Sequence, residues 1–324
     1  MGTISSARMS SLACAVLASS FGGHPAAAQN AFIEITAIVE HPALDSTRLG
    51  VIAGLEAAGY KQGQNLRVVY ENAQGNTSTA VQIARKFVGD KPDVIVPIST
   101  ASSQAVAAAT KDIPIVFATV TDPVGAKLVE SWEKPGGNIT GVVDAPPLDK
   151  HIALMKQITP NAKRIGVPYN PGESNSISQI KALKPLFAAA GLEMVEATGS
   201  KSSDVLAAAQ SLVGKVDVIY VPNDNTFVSA LESVLKVGID NRIPVYAGDT
   251  DSVKRGAIAT IGFDYIDVGK QAGQMVARVL KGEKPANIPV EGVKGSDLYV
   301  NPTSATKMGV EIPKELVSKA KQVF

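Results

Sequence analysis

From position 31 onward, short runs of β-branched and other apolar residues alternate with stretches in which apolar residues recur every three to four positions. That alternation predicts strands joined by crossover helices in a mostly parallel sheet. A first series places strands at 33–39, 66–70, 94–98 and 115–118, with helices at 46–58, 77–88 and 102–109 between them. After the stretch GGNITGVVD at 136–144, a second series predicts strands at 164–167, 193–196, 217–221, 245–247 and 257–261, with helices at 176–190, 203–213 and 226–237. Two similar series in one chain predict two α/β lobes. An amphipathic stretch at 266–280, IDVGKQAGQMVARVL, follows the last of these strands and does not open a third domain. No low-complexity linker separates the series, so short strand-like crossings should join the lobes and leave them facing each other across a cleft.

Composition changes this picture mainly at the N-terminus. Residues 1–8 carry one positive charge, 9–22 are apolar and small, and Ala26-Ala27-Ala28 supplies a small-residue processing site before Gln29. Residues 1–28 therefore read as a signal peptide, with export to the periplasm. The single cysteine, Cys14, falls within that segment, so the mature chain has no disulfide and its fold rests on its own core. Removing 1–28 removes Arg8 and no acid, which leaves 30 of the 31 basic residues against 30 acidic ones and argues against a nucleic-acid or membrane-surface partner.

In an open parallel sheet, ligands sit beyond the carboxyl ends of the strands. That rule selects EHPALD (40–45), STASSQ (99–104) and TVTDP (119–123) in the first series, and YNPGESNS (169–176), NDNTF (223–227) and GDTDS (248–252) in the second. Most of these loops run straight into a helix, whose start offers free N–H donors and the positive end of its dipole. Thr100, Ser102 and Thr121 beside such starts are candidates to hold a carboxylate. Asp249 and Asp224, just past strand ends, are candidates to accept hydrogen bonds from an ammonium. Asn225 and Thr250 belong to the same two loops, and Tyr169, Phe227 and His41 are candidates to line an apolar side-chain pocket. Each of these residues also has an ordinary structural reading, as a helix cap or as core.

Catalytic motifs are missing: GxSxG, HExxH, GxGxxG and GxxxxGK do not occur, and beyond residue 28 the only histidines are His41 and His151. Neither a metal nor an organic cofactor is expected. Carboxylate chemistry through Asp122, Asp224 or Asp249 stays open on motif grounds alone.

The segments PISTASSQAVAAATKDIPIVFATVTDPVGAKLV, GNITGV, VPNDNTFVSALESVLK and IPVYAGDTDSVKRGAIATIGFDYIDVGKQAGQMVARVLKGEKP occur in that order. Together they resemble the substrate-binding proteins of bacterial ABC transporters, and within them the subgroup linked to tryptophan and other aromatic amino acids. The resemblance implies an α/β fold of two Rossmann-like lobes, the periplasmic binding protein type I fold, with a ligand cleft between them. The implied lobes are 29–140 plus 262–285 and 141–261 plus 286–324, with helix 266–280 returning to the first. It also implies that Thr100, Ser102 and Thr121 hold the ligand's carboxylate, that Asp249 holds its amine with Asp224 nearby, and that Asp122 caps the following helix. The implied protein is a monomeric extracytoplasmic carrier that closes on an amino acid-like ligand with an aromatic or branched apolar side chain and docks on an ABC permease in the inner membrane. A sugar or nucleoside receptor on the same fold, an exported carboxylate-dependent enzyme and a sensor domain for a membrane kinase are the alternatives.

Overall fold

The computed structural model describes residues 1–3 and 30–324. The segment read as a signal peptide, with Cys14, lies outside the described residues except for its first three positions. The first lobe begins β1 (Ala31–Ala37), α1 (Pro42–Ala57), β2 (Leu66–Asn72), α2 (Thr77–Asp90), β3 (Val94–Ile98), α3 (Thr100–Ala109), β4 (Ile115–Val120) and β5 (Ile139–Val143). The second runs through α4 (Leu148–Ile158), β6 (Arg164–Tyr169), α5 (Ser174–Ala189), β7 (Glu193–Thr198), α6 (Val205–Gln210), β8 (Val218–Val221), α7 (Asn225–Ser229), α8 (Leu231–Asn241), β9 (Val245–Ala247), α9 (Thr250–Arg255) and β10 (Ala259–Gly262). The chain then returns to the first lobe for α10 (Tyr265–Leu280) and β11 (Glu291–Gly292). It ends in the second with β12 (Asp297–Val300), α11 (Pro302–Lys307), α12 (Lys314–Lys319) and β13 (Gln322–Val323).

The first sheet has the order β11-β5-β4-β3-β1-β2 and the second β7-β6-β8-β9, both with parallel pairings. Strands β3 and β4 are buried along their whole length, as expected of apolar runs covered by helices on both faces. Each sheet organises its own core. Ile33, Val96, Phe117 and Val276 belong to one, and Val167, Leu183, Ile219 and Val234 to the other.

Helix α10 joins the first core because glycines let its backbone lie directly on α1. A Cβ added at Gly269 would fall 2.1 Å from the carbonyl oxygen of Thr47, and one at Gly50 would fall 2.2 Å from that of Ile266. Small residues at these crossing points replace side-chain interdigitation with backbone contact.

Several boundaries differ from the sequence reading. A division at 140 would cut through β5, yet Val142 and Val143 are buried in the first core and β5 pairs with β4. The division at 285 likewise falls short, since Ile288 and Val290 pack in that core and β11 pairs with β5. The crossings therefore leave only where these two strands end. Helix α1 starts at Pro42, not at 46, because proline's missing N–H costs nothing in a first turn. The stretch expected as one helix at 226–237 is two, broken at Ala230 with φ −118° and ψ 30°. No helix follows β4: residues 123–127 fold as turns, and Asp122 Oδ1 accepts from the Gly125 N–H at 2.8 Å instead of capping a helix.

Candidate ligand-binding site

The carboxyl ends of β1, β3, β4 and β5 line up along one rim of the first sheet, and the ends of β8 and β9 face them from the second lobe. Between them lies a small cavity of about 30 Å³, measured as the space open to the centre of a water molecule. Of the ten candidates read from sequence, His41, Thr100, Thr121, Asp224, Asn225 and Asp249 line this cavity.

The other four do not. Tyr169 turns its hydroxyl to Glu196, donating at 2.6 Å, and that bond together with burial pushes its pKa up to about 12. Phe227 is fully buried in the second core. Thr250 donates its hydroxyl to the Phe263 carbonyl at 2.9 Å. Ser102 sits further along α3, buried and away from the lining. The strand-end rule found the right loops, but Tyr169 and Thr250 spend their hydroxyls on other partners, Phe227 packs in the core, and Ser102 Oγ is buried outside the lining without a partner among the described residues.

The strand ends β3 and β4 present hydroxyls under strain. Ser99 has φ 82° and ψ 160°, and Thr119 has φ 53°, both in regions that L-residues rarely adopt. Such strain persists where the surroundings over-determine it, typically at ligand clamps. The two are held to each other: the Ser99 N–H donates to the Ala118 carbonyl at 3.0 Å and to Thr119 Oγ1 at 3.2 Å. Ser99 occupies the N-cap position of α3, yet its side chain makes no capping bond. Its Oγ and that of Thr100 are buried without a hydrogen-bond partner among the described residues. The hydroxyls and the first N–H groups of α3 therefore converge on the cavity as unused donors, suited to an anion.

Acidic groups dominate the remainder. Asp144, just past β5, was missed by the sequence reading although it obeys the same strand-end rule, because its segment was read as a lobe boundary. Thr121 donates to Asp144 Oδ1 at 3.1 Å, while Asn223 Nδ2 and Tyr265 Oη approach Oδ2 at 3.4 and 3.5 Å. Burial raises its pKa to about 6, against the lowering effect of these hydrogen bonds. Asp249 is raised by burial too, although Ser252 donates both its N–H and its hydroxyl to it.

Asp224 is the most committed of the three: it accepts from the Asn170 N–H, the Ser176 hydroxyl and the Phe227 N–H. Burial, and then the charge of Glu173, raise it to about 8. Asp224 and Asp249 are thus helix caps as well as lining groups. Among the described residues, no lysine or arginine lines the cavity. Asp144 and Asp249 face a lining without a basic side chain, and their ionised forms favour a bound cation, with Arg255 near enough to Asp249 to offset part of that field.

The lobes touch around this cavity. Asn223 of the second reaches Asp144 and Tyr265 of the first, and outside the cavity Ser178 donates to Asp122 at 2.9 Å.

The family model described as ABC transporter substrate binding protein matches residues 32–324. A tyrosine-binding protein of Clostridioides difficile (strain R20291) is 46% identical over 269 residues, covering 83% of this chain and 78% of that one. The structure of an ABC domain in complex with L-Trp from Streptococcus pneumonia is 35% identical, with a TM-score of 0.88 over 91% of this chain and 100% of that one. The ligand-free, open structure of a substrate-binding protein with adhesive properties from Clostridium difficile is 42% identical, but its TM-score is 0.68 over 90% of this chain and 99% of that one. The open structure is nearer in sequence and farther in shape. Here the lobes adopt the closed arrangement, in keeping with the contacts between them.

Proposed function

The chain belongs to the ABC transporter substrate-binding protein family, and on that premise we propose that it captures an L-α-amino acid with an aromatic side chain and presents it to an inner-membrane permease. The observation that carries the ligand class is the cavity's division of charge. Unused hydroxyl and N–H donors at the start of α3 suit a carboxylate, and Asp144 and Asp249, with no lysine or arginine lining the cavity among the described residues, suit an ammonium. A zwitterion satisfies both at once. A sugar satisfies neither charge. The tyrosine of one relative's name and the L-Trp of another's structure support an aromatic side chain.

In this reading Thr100, with Ser99 beside it, takes the carboxylate. Thr121 orients Asp144, which takes the amine with Asp249, and Asp224 stands nearby as a helix cap. A ligand touching both lobes stabilises the closed form by its differential affinity, and the permease reads that form. No bond in the ligand is made or broken, and no cofactor is required. The N-terminal stretch 1–28 is the basis for proposing a periplasmic location, and a carrier that must dock on a membrane complex is proposed to be monomeric.

A thermal-shift screen tests the ligand class, because a ligand that binds only the folded state raises its melting temperature. L-aromatic amino acids should shift it, while their N-acetyl derivatives and their methyl esters, each lacking one charge, should not. A shift produced only by sugars or nucleosides would overturn the assignment.

A further inference from the structure

The order of strands in the first sheet gives the cavity two different ends. Asp144 follows β5, Thr121 follows β4, Ser99 and Thr100 follow β3, and His41 follows β1, in a sheet whose order is β5-β4-β3-β1. At about 4.8 Å per strand, the rim from β5 to β1 covers about 14 Å. The loop after β8 runs alongside it in the same sense. Asn223 meets Asp144 at one end, and Asn225 stands beside His41 at the other. With the charged groups of an amino acid held over β5, β4 and β3, its side chain points toward β1.

What waits there is apolar except for His41 and the amide of Asn225. Ala43, Leu44 and Val228 supply the walls near His41. His41 is 8% exposed, stands at the N-cap of α1 without making a side-chain capping bond, and has no hydrogen-bond partner for Nδ1 among the described residues. Burial lowers its pKa to about 4, against the raising effect of a hydrogen bond with the Asn225 side chain, so the ring is neutral, with one donor and one acceptor to share between Asn225 and a ligand. A buried nitrogen without a partner is costly unless a ligand supplies one. His151, by contrast, has both ring nitrogens engaged, by the Tyr220 hydroxyl at 2.9 Å and the Ile261 carbonyl at 2.6 Å.

We propose that His41 reads a hydroxyl at the far end of the ligand's side chain, so that the protein selects L-tyrosine over L-phenylalanine. This rests on the reading of the ligand as an aromatic amino acid. The phenol pairs with the otherwise unpartnered Nδ1, and the ring packs against Leu44 and Val228.

Isothermal titration of the full chain with L-tyrosine and with L-phenylalanine tests it. The expected preference of the unmodified protein for tyrosine is about tenfold, or ~1.4 kcal/mol. In His41→Leu the ratio of the two affinities should collapse to about one, and in His41→Gln, whose amide keeps a donor and an acceptor, it should be intermediate. Equal affinities in the unmodified protein, or a ratio unchanged in a folded variant, would overturn the role of His41 while leaving the amino-acid ligand standing. Failure of both amino acids to bind the unmodified protein would overturn the ligand class and this role together. Should His41→Leu not fold, the unmodified protein and His41→Gln still decide the matter.

Discussion

Ser178, on α5 of the second lobe, donates its hydroxyl to Asp122 of the first at 2.9 Å, outside the cavity that the two lobes enclose. Beside it Ser174 donates to Gln104 Oε1 at 3.3 Å. These bonds join opposite lobes, so moving the lobes apart at this point breaks them. They add to the stability of the closed form without touching a ligand.

Ser178→Ala should therefore weaken ligand binding by about two- to tenfold, the equivalent of one hydrogen bond worth roughly 0.5–1.5 kcal/mol. Titration calorimetry reads the loss, and small-angle scattering should show a larger open population at subsaturating ligand. An unchanged affinity would mean that the pair adds no net stability to the closed form.

Asp144 makes the affinity depend on pH. Its pKa in the closed, empty cavity is raised to about 6, chiefly by burial. An ammonium beside it favours the charged form, so binding releases a proton wherever the empty site is protonated. From this group affinity should fall toward tenfold per unit below about pH 6, while the raised Asp224 adds a separate decline at higher pH that Asp144→Asn leaves in place. Asp144→Asn should bind more weakly at neutral pH and lose the further decline below about pH 6. A further decline that survives in Asp144→Asn would move the titrating group elsewhere.

Backbone strain at Ser99 should be separable from its hydroxyl. Replacement by glycine, which adopts φ 82° freely, relieves the strain, partly offset by the greater freedom of glycine in the unfolded chain. Ser99→Gly should raise the unfolding free energy by about 1 kcal/mol while lowering ligand affinity, because the unpartnered Oγ is gone. Ser99→Ala should lower affinity without the gain in stability. Chemical denaturation measures the first quantity and calorimetry the second.

At the α1–α10 crossing, Gly269→Ala places a methyl where the Thr47 carbonyl oxygen stands 2.1 Å away. Both partners are backbone, so the helices must separate. The expected loss is about 1–3 kcal/mol, with the melting temperature lowered and the fold retained. Gly89, which has nothing within 4 Å of its missing Cβ, is the control: Gly89→Ala should be neutral or slightly stabilising.

Alternating apolar runs and amphipathic stretches determined the two α/β lobes by themselves, because parallel strands covered on both faces must be apolar throughout and their crossover helices must carry an apolar stripe. The strand-end rule likewise reached the right loops: six of the ten candidates line the cavity, including His41 beyond β1 and Asp249 beyond β9. What the chain could not display locally is which way each loop residue faces. Tyr169 and Thr250 sit in those loops but spend their hydroxyls on Glu196 and on the Phe263 carbonyl. Asp144 and Tyr265 are 121 positions apart and meet only because β5 and the start of α10 converge at one end of the cleft. Sequence periodicity reports burial, which is set by neighbours a few residues away. The site is set by directions and distances between strand ends far apart in the chain, and by the closure that brings Asn223 of one lobe to Asp144 of the other. Only the tertiary structure decides those.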